Sequence, residues 1–239
     1  MKTLLTTLIL LFVSVFAQAQ TSKDAYFTDA HDFFEAFVKE GRVAYDVLQA
    51  RPQLLNTLVS NIADIDVSGF NADEKKAFYI NAYNILTINS IIKNGIPDSP
   101  LSVDGFFDKQ THSVAGAELT LNQVEKEMLL PVYNDARLHF VLVCAAIGCP
   151  KLQSYAYVPS KLEEQMQAAT VEALNNDYFV RVDNSGNKVE LSEIFSWYGG
   201  DFLAESESLL SYVNQFREKK IPASYSVGHY TYDWNLNKQ

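Results

Sequence analysis

The side chains of this protein best suited to chemistry crowd into one stretch, LHFVLVCAAIGCPKL, from Leu138 to Leu152. His139 sits inside an apolar run, and Cys144 and Cys149 are the only cysteines of the chain. A thiol near an imidazole can act as a nucleophile, because the base generates the thiolate that attacks. Cys149 is the better placed thiol. Gly148 permits a sharp turn before it, and Pro150 suits the first position of a helix. That arrangement would leave the thiol near backbone N–H groups, which favour its anion. Cys144 instead falls in a run that reads as a buried strand, where a cysteine behaves as a small hydrophobe. In an unbroken strand His139 and Cys144 face opposite sides. The loop beyond can bring Cys149 back to either face, so the expected pair is Cys149 as nucleophile and His139 as base.

Other readings of the same residues stay open. A Cys-x4-Cys pair can close a disulfide across the turn, and two free thiols with a core histidine can be purely structural. Metal binding has less behind it. Cys144, Cys149 and His139 are soft ligands, but spacing alone does not make a zinc site. His31, His112 and His229 are scattered, and no HExxH or CxxC is present. No metal or other cofactor is expected. A P-loop, a GxGxxG after a strand and a GxSxG elbow are likewise missing from the sequence.

Charge and compartment restrict the partners. The chain has 19 basic and 29 acidic residues, a net charge of −10, and no basic run. Nucleic acid is therefore not expected as a partner, and anionic headgroups are disfavoured. The opening MKTLLTTLILLFVSVFAQAQ joins Lys2 to an apolar run and ends in Ala17-Gln18-Ala19, the form of a secretory signal peptide over residues 1–19. The expectation is a periplasmic or secreted protein with no lipid-anchor cysteine and no stable membrane insertion. Residues 20–239 then form a single domain. The expected partner is a small-molecule or peptide ligand of unknown identity.

The elements that must position these residues are mostly helical in the first half. Phe33, Phe34, Phe37 and Val38 recur at helical spacing, and a second helical run follows Pro52. The strongest helix is ADEKKAFYINAYNILTINSIIKNG, capped by Asn71 or Asp73 and stopped by Gly95 and Pro97. Asn81 and Asn84 lie on or beside its apolar stripe, where a buried amide needs a specific partner such as a loop backbone. A hairpin turn or bulge is expected at Gly116. Capping boxes at Thr120–Gln123 and Ser160–Glu163 start two helices. Residues 178–191 read as a β-hairpin, 202–216 as a last helix, and the tail YSVGHYTYDWNLN as a terminal strand. The fold class is α+β, a helical N-terminal half packed on a small mixed or antiparallel sheet.

Several segments, in order, resemble the domain of unknown function 547 family of bacteria and plants. They are AFYINAYN at 77–84, Phe106-Phe107, LTLNQVE at 119–125, ARLHFVLVCAAIGCPKL at 136–152, LSEIFSWYGGDF at 191–202 and YDWNLN at 232–237. The resemblance spans Asp29 to Asn237. This chain has Tyr79 where the family usually has Trp, Lys126 where it often has His, and Lys151 where a second proline is common. The Lys126 difference argues against an essential proton-transfer role at that position. The family carries no settled activity, so the resemblance nominates positions and not a reaction.

Within the matching motifs, Glu125 and Asp233 are the carboxylates that could orient His139 and complete a thiol triad. Asn81 joins them as a candidate site amide. The histidine-before-cysteine order would suit a permuted papain-like arrangement, by analogy only. The functional expectation is a thiol-dependent hydrolase or acyl transferase acting on peptide or amide substrates in the cell envelope. The rival is a non-catalytic binding or envelope-interaction module with structural cysteines.

Overall fold

The structure, a computed structural model, describes residues 22–239; the signal peptide read over 1–19 lies outside the described residues. Helix α1 (Lys23–Phe37) leads into a short antiparallel pair, β1 (Val38–Lys39) with β2 (Arg42–Val43). Helices α2 (Tyr45–Ala50) and α3 (Gln53–Asp64) follow, and α4 (Ala72–Lys93) is the axis of the molecule. Asn71 caps α4 through a reciprocal box with Glu74. Every α4 residue from Lys76 to Ile91 is buried, around the whole circumference, as expected of a helix enclosed by other elements.

That enclosure puts amides inside the protein, and each has a two-way partner. Asn81 donates to the Tyr157 carbonyl at 2.7 Å and accepts from the Tyr157 N–H at 2.9 Å. Asn84 does the same to a second segment, donating to Val141 O at 2.9 Å and accepting from Val143 N at 2.9 Å. The side-chain amides thus replace a strand neighbour for two loops that lie on α4.

This explains the largest departure from expectation. Residues 138–144 are not a strand. Ala136–Phe140 form a 3₁₀ turn, and the chain then runs irregularly past Asn84. The run is apolar because it is buried on all sides, and burial alone does not separate a strand from an enclosed turn.

The hairpin of β3 (Thr111–Val114) and β4 (Ala117–Thr120) turns at Ala115-Gly116, both with positive φ. Its tip N–H groups donate to the Ile62 and Ala63 carbonyls of α3. Thr120 and Gln123 form their capping box at the start of α5 (Leu121–Gln123). A wide π-helical turn over Val124–Leu129 follows and passes into α6 (Leu130–Tyr133). The Ser160–Glu163 box does not form. Helix α7 (Leu162–Leu174) starts without a side-chain cap, and Glu163 pairs with Arg137 instead.

Strands β5 (Val180–Asp183) and β6 (Lys188–Ser192) form the expected hairpin. β7 (Ser226–Tyr230) joins β6 in parallel, making a mixed three-stranded sheet. Between them lie α8 (Ile194–Trp197), α9 (Gly199–Ala204) and α10 (Leu209–Phe216), so the single last helix expected over 202–216 is broken. Phe140 packs against Phe179, Phe195, Phe202 and Tyr212, tying the 3₁₀ turn to the sheet and to these short helices. The result is a single-domain α+β fold. Among the described residues no helix is long and apolar enough to cross a membrane.

Candidate active site

The cysteine loop and the C-terminal tail position each other. Ile147 N donates to Asn235 O, Gly148 N to Asp233 O and Asn237 N to Ala145 O, all at 2.8 to 2.9 Å. Residues 233–237 therefore pair antiparallel with residues 145–148 and, unlike β7 earlier in the same tail, do not extend the sheet. Gly148 is needed for closeness. A Cβ there would stand 2.9 Å from carbons of the Tyr232 ring. Pro150 does not open a helix, so the N–H groups of a helix start are not what surrounds Cys149.

Cys144 and Cys149 are joined as a disulfide. Donors nonetheless converge on Cys149 Sγ. The Cys144 N–H lies 3.1 Å away and the Tyr232 hydroxyl 3.0 Å away. The same hydroxyl is 3.2 Å from Cys144 Sγ. Groups that donate to a sulfur stabilise negative charge on it.

The disulfide forms part of the wall of a pocket of about 180 Å³. His139, Glu125, Tyr198 and the indoles of Trp197 and Trp234 share it. His139 arrives on the 3₁₀ turn and is buried against the Tyr198 ring at 4.1 Å and the Phe202 ring at 5.3 Å. Its Nε2 stands 2.7 Å from Asp201 Oδ2. Burial holds the imidazole below the ordinary histidine range, outweighing the nearby Asp201 carboxylate. The neutral ring then donates through Nε2–H to Asp201, and Nδ1 is the basic nitrogen left for proton transfer. Glu125 enters from the π-helical turn and is 7% exposed. Burial pushes its carboxyl up, against the Tyr198 hydroxyl that donates to it.

Cys149, His139 and Glu125 thus meet in one pocket. Asp233 and Asn81 are not on its lining. Asp233 acts through its backbone carbonyl on Gly148, and its side chain accepts from Asn235 N at 3.0 Å. Asn81 is occupied by Tyr157. The carboxylate that holds His139 is Asp201, on α9, a residue that sequence reasoning passed over. Its only signal was its place in LSEIFSWYGGDF, ten residues after the start of that segment. Tyr232 and Tyr198 were also missed as pocket groups. Among the described residues no cluster of three or more His, Cys, Asp or Glu side chains could hold a metal ion.

No curated protein and no solved structure matches the chain. One family does match, over residues 67–173, a segment that contains α4, the π-helical turn, His139 and both cysteines. Asp201, Tyr198 and Tyr232 lie beyond it. Over that segment the chain is similar to the family described as "Protein of unknown function, DUF547".

Proposed function

We propose that the pocket is a redox-gated thiol active site, and that the protein is a thiol-dependent hydrolase or acyl transferase of the cell envelope. The observation that carries this reading is the pair of donors on Cys149 Sγ, in a pocket shared with a neutral His139 held by Asp201. A dithiol reductant first opens the disulfide, giving up two hydrogens and becoming a disulfide itself, to leave two thiols on the protein. Cys149 then gives its proton to His139 Nδ1, and the thiolate forms a bond to the carbonyl carbon of an ester or amide. The Tyr232 hydroxyl, released from sulfur, is available to donate to the oxyanion. The leaving oxygen or nitrogen takes the proton back from the imidazolium, and water or an acceptor nucleophile releases the acyl group from sulfur. The closed loop is short and contributes only about 2 kcal/mol, so reduction need not unfold a core this large. Export to an oxidising compartment, the expected destination, would keep the site closed until a reductant arrives.

The disulfide itself favours the second reading, a binding module in which the cysteines only staple the loop. A panel of p-nitrophenyl esters and anilides, with and without dithiothreitol, separates the two. The expected result is turnover in the reduced protein that Cys149→Ala abolishes. Cys144→Ala, which leaves Cys149 unpaired, should be active without reductant. Ordinary slow alkylation of a reduced Cys149, with no turnover in either form, sinks the thiol reading and leaves the binding module.

A further inference from the structure

The thiol reaction leaves the one carboxyl of the pocket lining without a task. Glu125 is buried, carries its carboxyl on a π-helical turn, and has the Tyr198 hydroxyl as its donor. Among the described residues it makes no ion pair. Burying a carboxylate without a cation is costly, and a bound cation would offset that cost.

The walls have the same polarity. Trp197 and Trp234 are stacked at 5.7 Å with an interplanar angle of 25°, and Tyr232 lies 4.7 Å from Trp234. Phe107 closes on Trp234 at 6.4 Å. Aromatic faces carry negative potential and attract cations. No lysine or arginine lines the pocket, and His139 is held neutral. An anionic ligand would therefore find no counter-charge, and a neutral one would leave the carboxylate unpaired. Trp197 is 47% exposed, so the aromatic face is open to solvent at one side. The small volume limits the occupant to a compact group.

We propose that this pocket recognises an alkylammonium group, paired with Glu125 and seated against the Trp197–Trp234 aromatic face. It rests on the thiol reading only in one respect: there, this group is the amine-bearing part of the acyl substrate. Binding itself does not need a free thiol, so it is tested on the oxidised protein, where failure of the reaction has no influence.

The probe is n-butylammonium, compared with 1-butanol and butyrate at constant ionic strength, followed by tryptophan fluorescence and by NMR shifts of the indole N–H groups. The expected result is saturable binding of n-butylammonium, with 1-butanol and butyrate weaker by roughly tenfold or more. Glu125→Gln should lose roughly tenfold for the ammonium ion while leaving 1-butanol unchanged, which also reports that the variant is folded. Equal binding of 1-butanol, preference for butyrate, unaltered ammonium affinity in Glu125→Gln, or no saturation by n-butylammonium would each overturn the proposal.

Discussion

The Tyr232 hydroxyl bridges the two sulfurs of the disulfide, 3.0 Å from Cys149 Sγ and 3.2 Å from Cys144 Sγ. It is buried, and burial pushes its own ionisation well above the ordinary tyrosine range, so it remains a donor at any working pH. In the reduced protein that donor would pass to whichever sulfur ionises, and the Cys144 N–H biases the choice to Cys149. Tyr232→Phe keeps the ring and removes the donor. Its expected effect is that the alkylation-rate profile of the reduced protein moves to higher pH. An unshifted profile would mean that the hydroxyl merely rests on the sulfurs.

The position of that hydroxyl depends on a residue with no side chain. An added Cβ at Gly148 meets the Tyr232 ring at 2.9 Å and the Asp233 N at 3.0 Å, and neither a ring edge nor backbone yields cheaply. Gly148→Ala should therefore destabilise the protein by about 1–3 kcal/mol and separate the cysteine loop from the tail. Urea unfolding gives the first effect, and hydrogen exchange at the Gly148 and Ile147 amides gives the second. Loss of stability without faster exchange there would place the strain elsewhere.

What could be read in advance follows from how local each feature is. Caps act within four residues, so a cap for α4 at Asn71 or Asp73 and the Thr120–Gln123 box are legible in the sequence; the structure chooses Asn71 and adds the reciprocal bond from Glu74. The 180–192 hairpin is similarly local. The 138–144 segment is not, because its backbone partner is the side chain of Asn84, far away in sequence. The same distance hid Glu163, drawn off its expected cap by Arg137. In the site, Cys149, His139 and Glu125 stood out by residue type and motif. Asp201 did not, since only the packing of α9 under the 3₁₀ turn brings it to His139.

Glu125 offers a stability test of its own. Burial holds its carboxyl protonated to higher pH in the folded chain than the 4.5 of an ordinary glutamate. The folded protein therefore binds the extra proton between that value and the raised one, and stability falls as pH rises through this window. Tyr198 and Lys126 favour the anion, and Asp201 opposes it, but burial outweighs the first two. Glu125→Gln does not titrate. Its stability relative to wild type should be flat below pH 4.5 and should grow in its favour as pH rises, levelling off above the folded value. Urea midpoints across that range check this. A difference independent of pH would show that the carboxyl is not held against burial, and would remove the empty counter-charge from the ligand argument.

Asp135 shows the opposite sign and bears on His139. Burial alone would raise its carboxyl, but Arg137 at 2.9 Å and Lys76 at 2.6 Å overcome this and bring it from 3.8 to about 2. The stabilisation is present above the unfolded value and is lost as pH falls from there through about 2. A shift of this size corresponds to about 2 kcal/mol. Asp135→Asn should therefore cost at least about 2 kcal/mol at pH 7, since it also leaves Lys76 buried without its partner. The cost should shrink toward pH 2, as wild-type Asp135 becomes protonated as well. Asp135 also accepts from Arg137 N at 3.1 Å and caps the 3₁₀ turn that carries His139. Asparagine can keep that cap through its carbonyl oxygen, whereas Asp135→Ala cannot. On the thiol reading, turnover by folded, reduced protein should fall further in Asp135→Ala than in Asp135→Asn. Equal losses in the two variants would mean that the charge cluster, and not the cap, sets the position of His139.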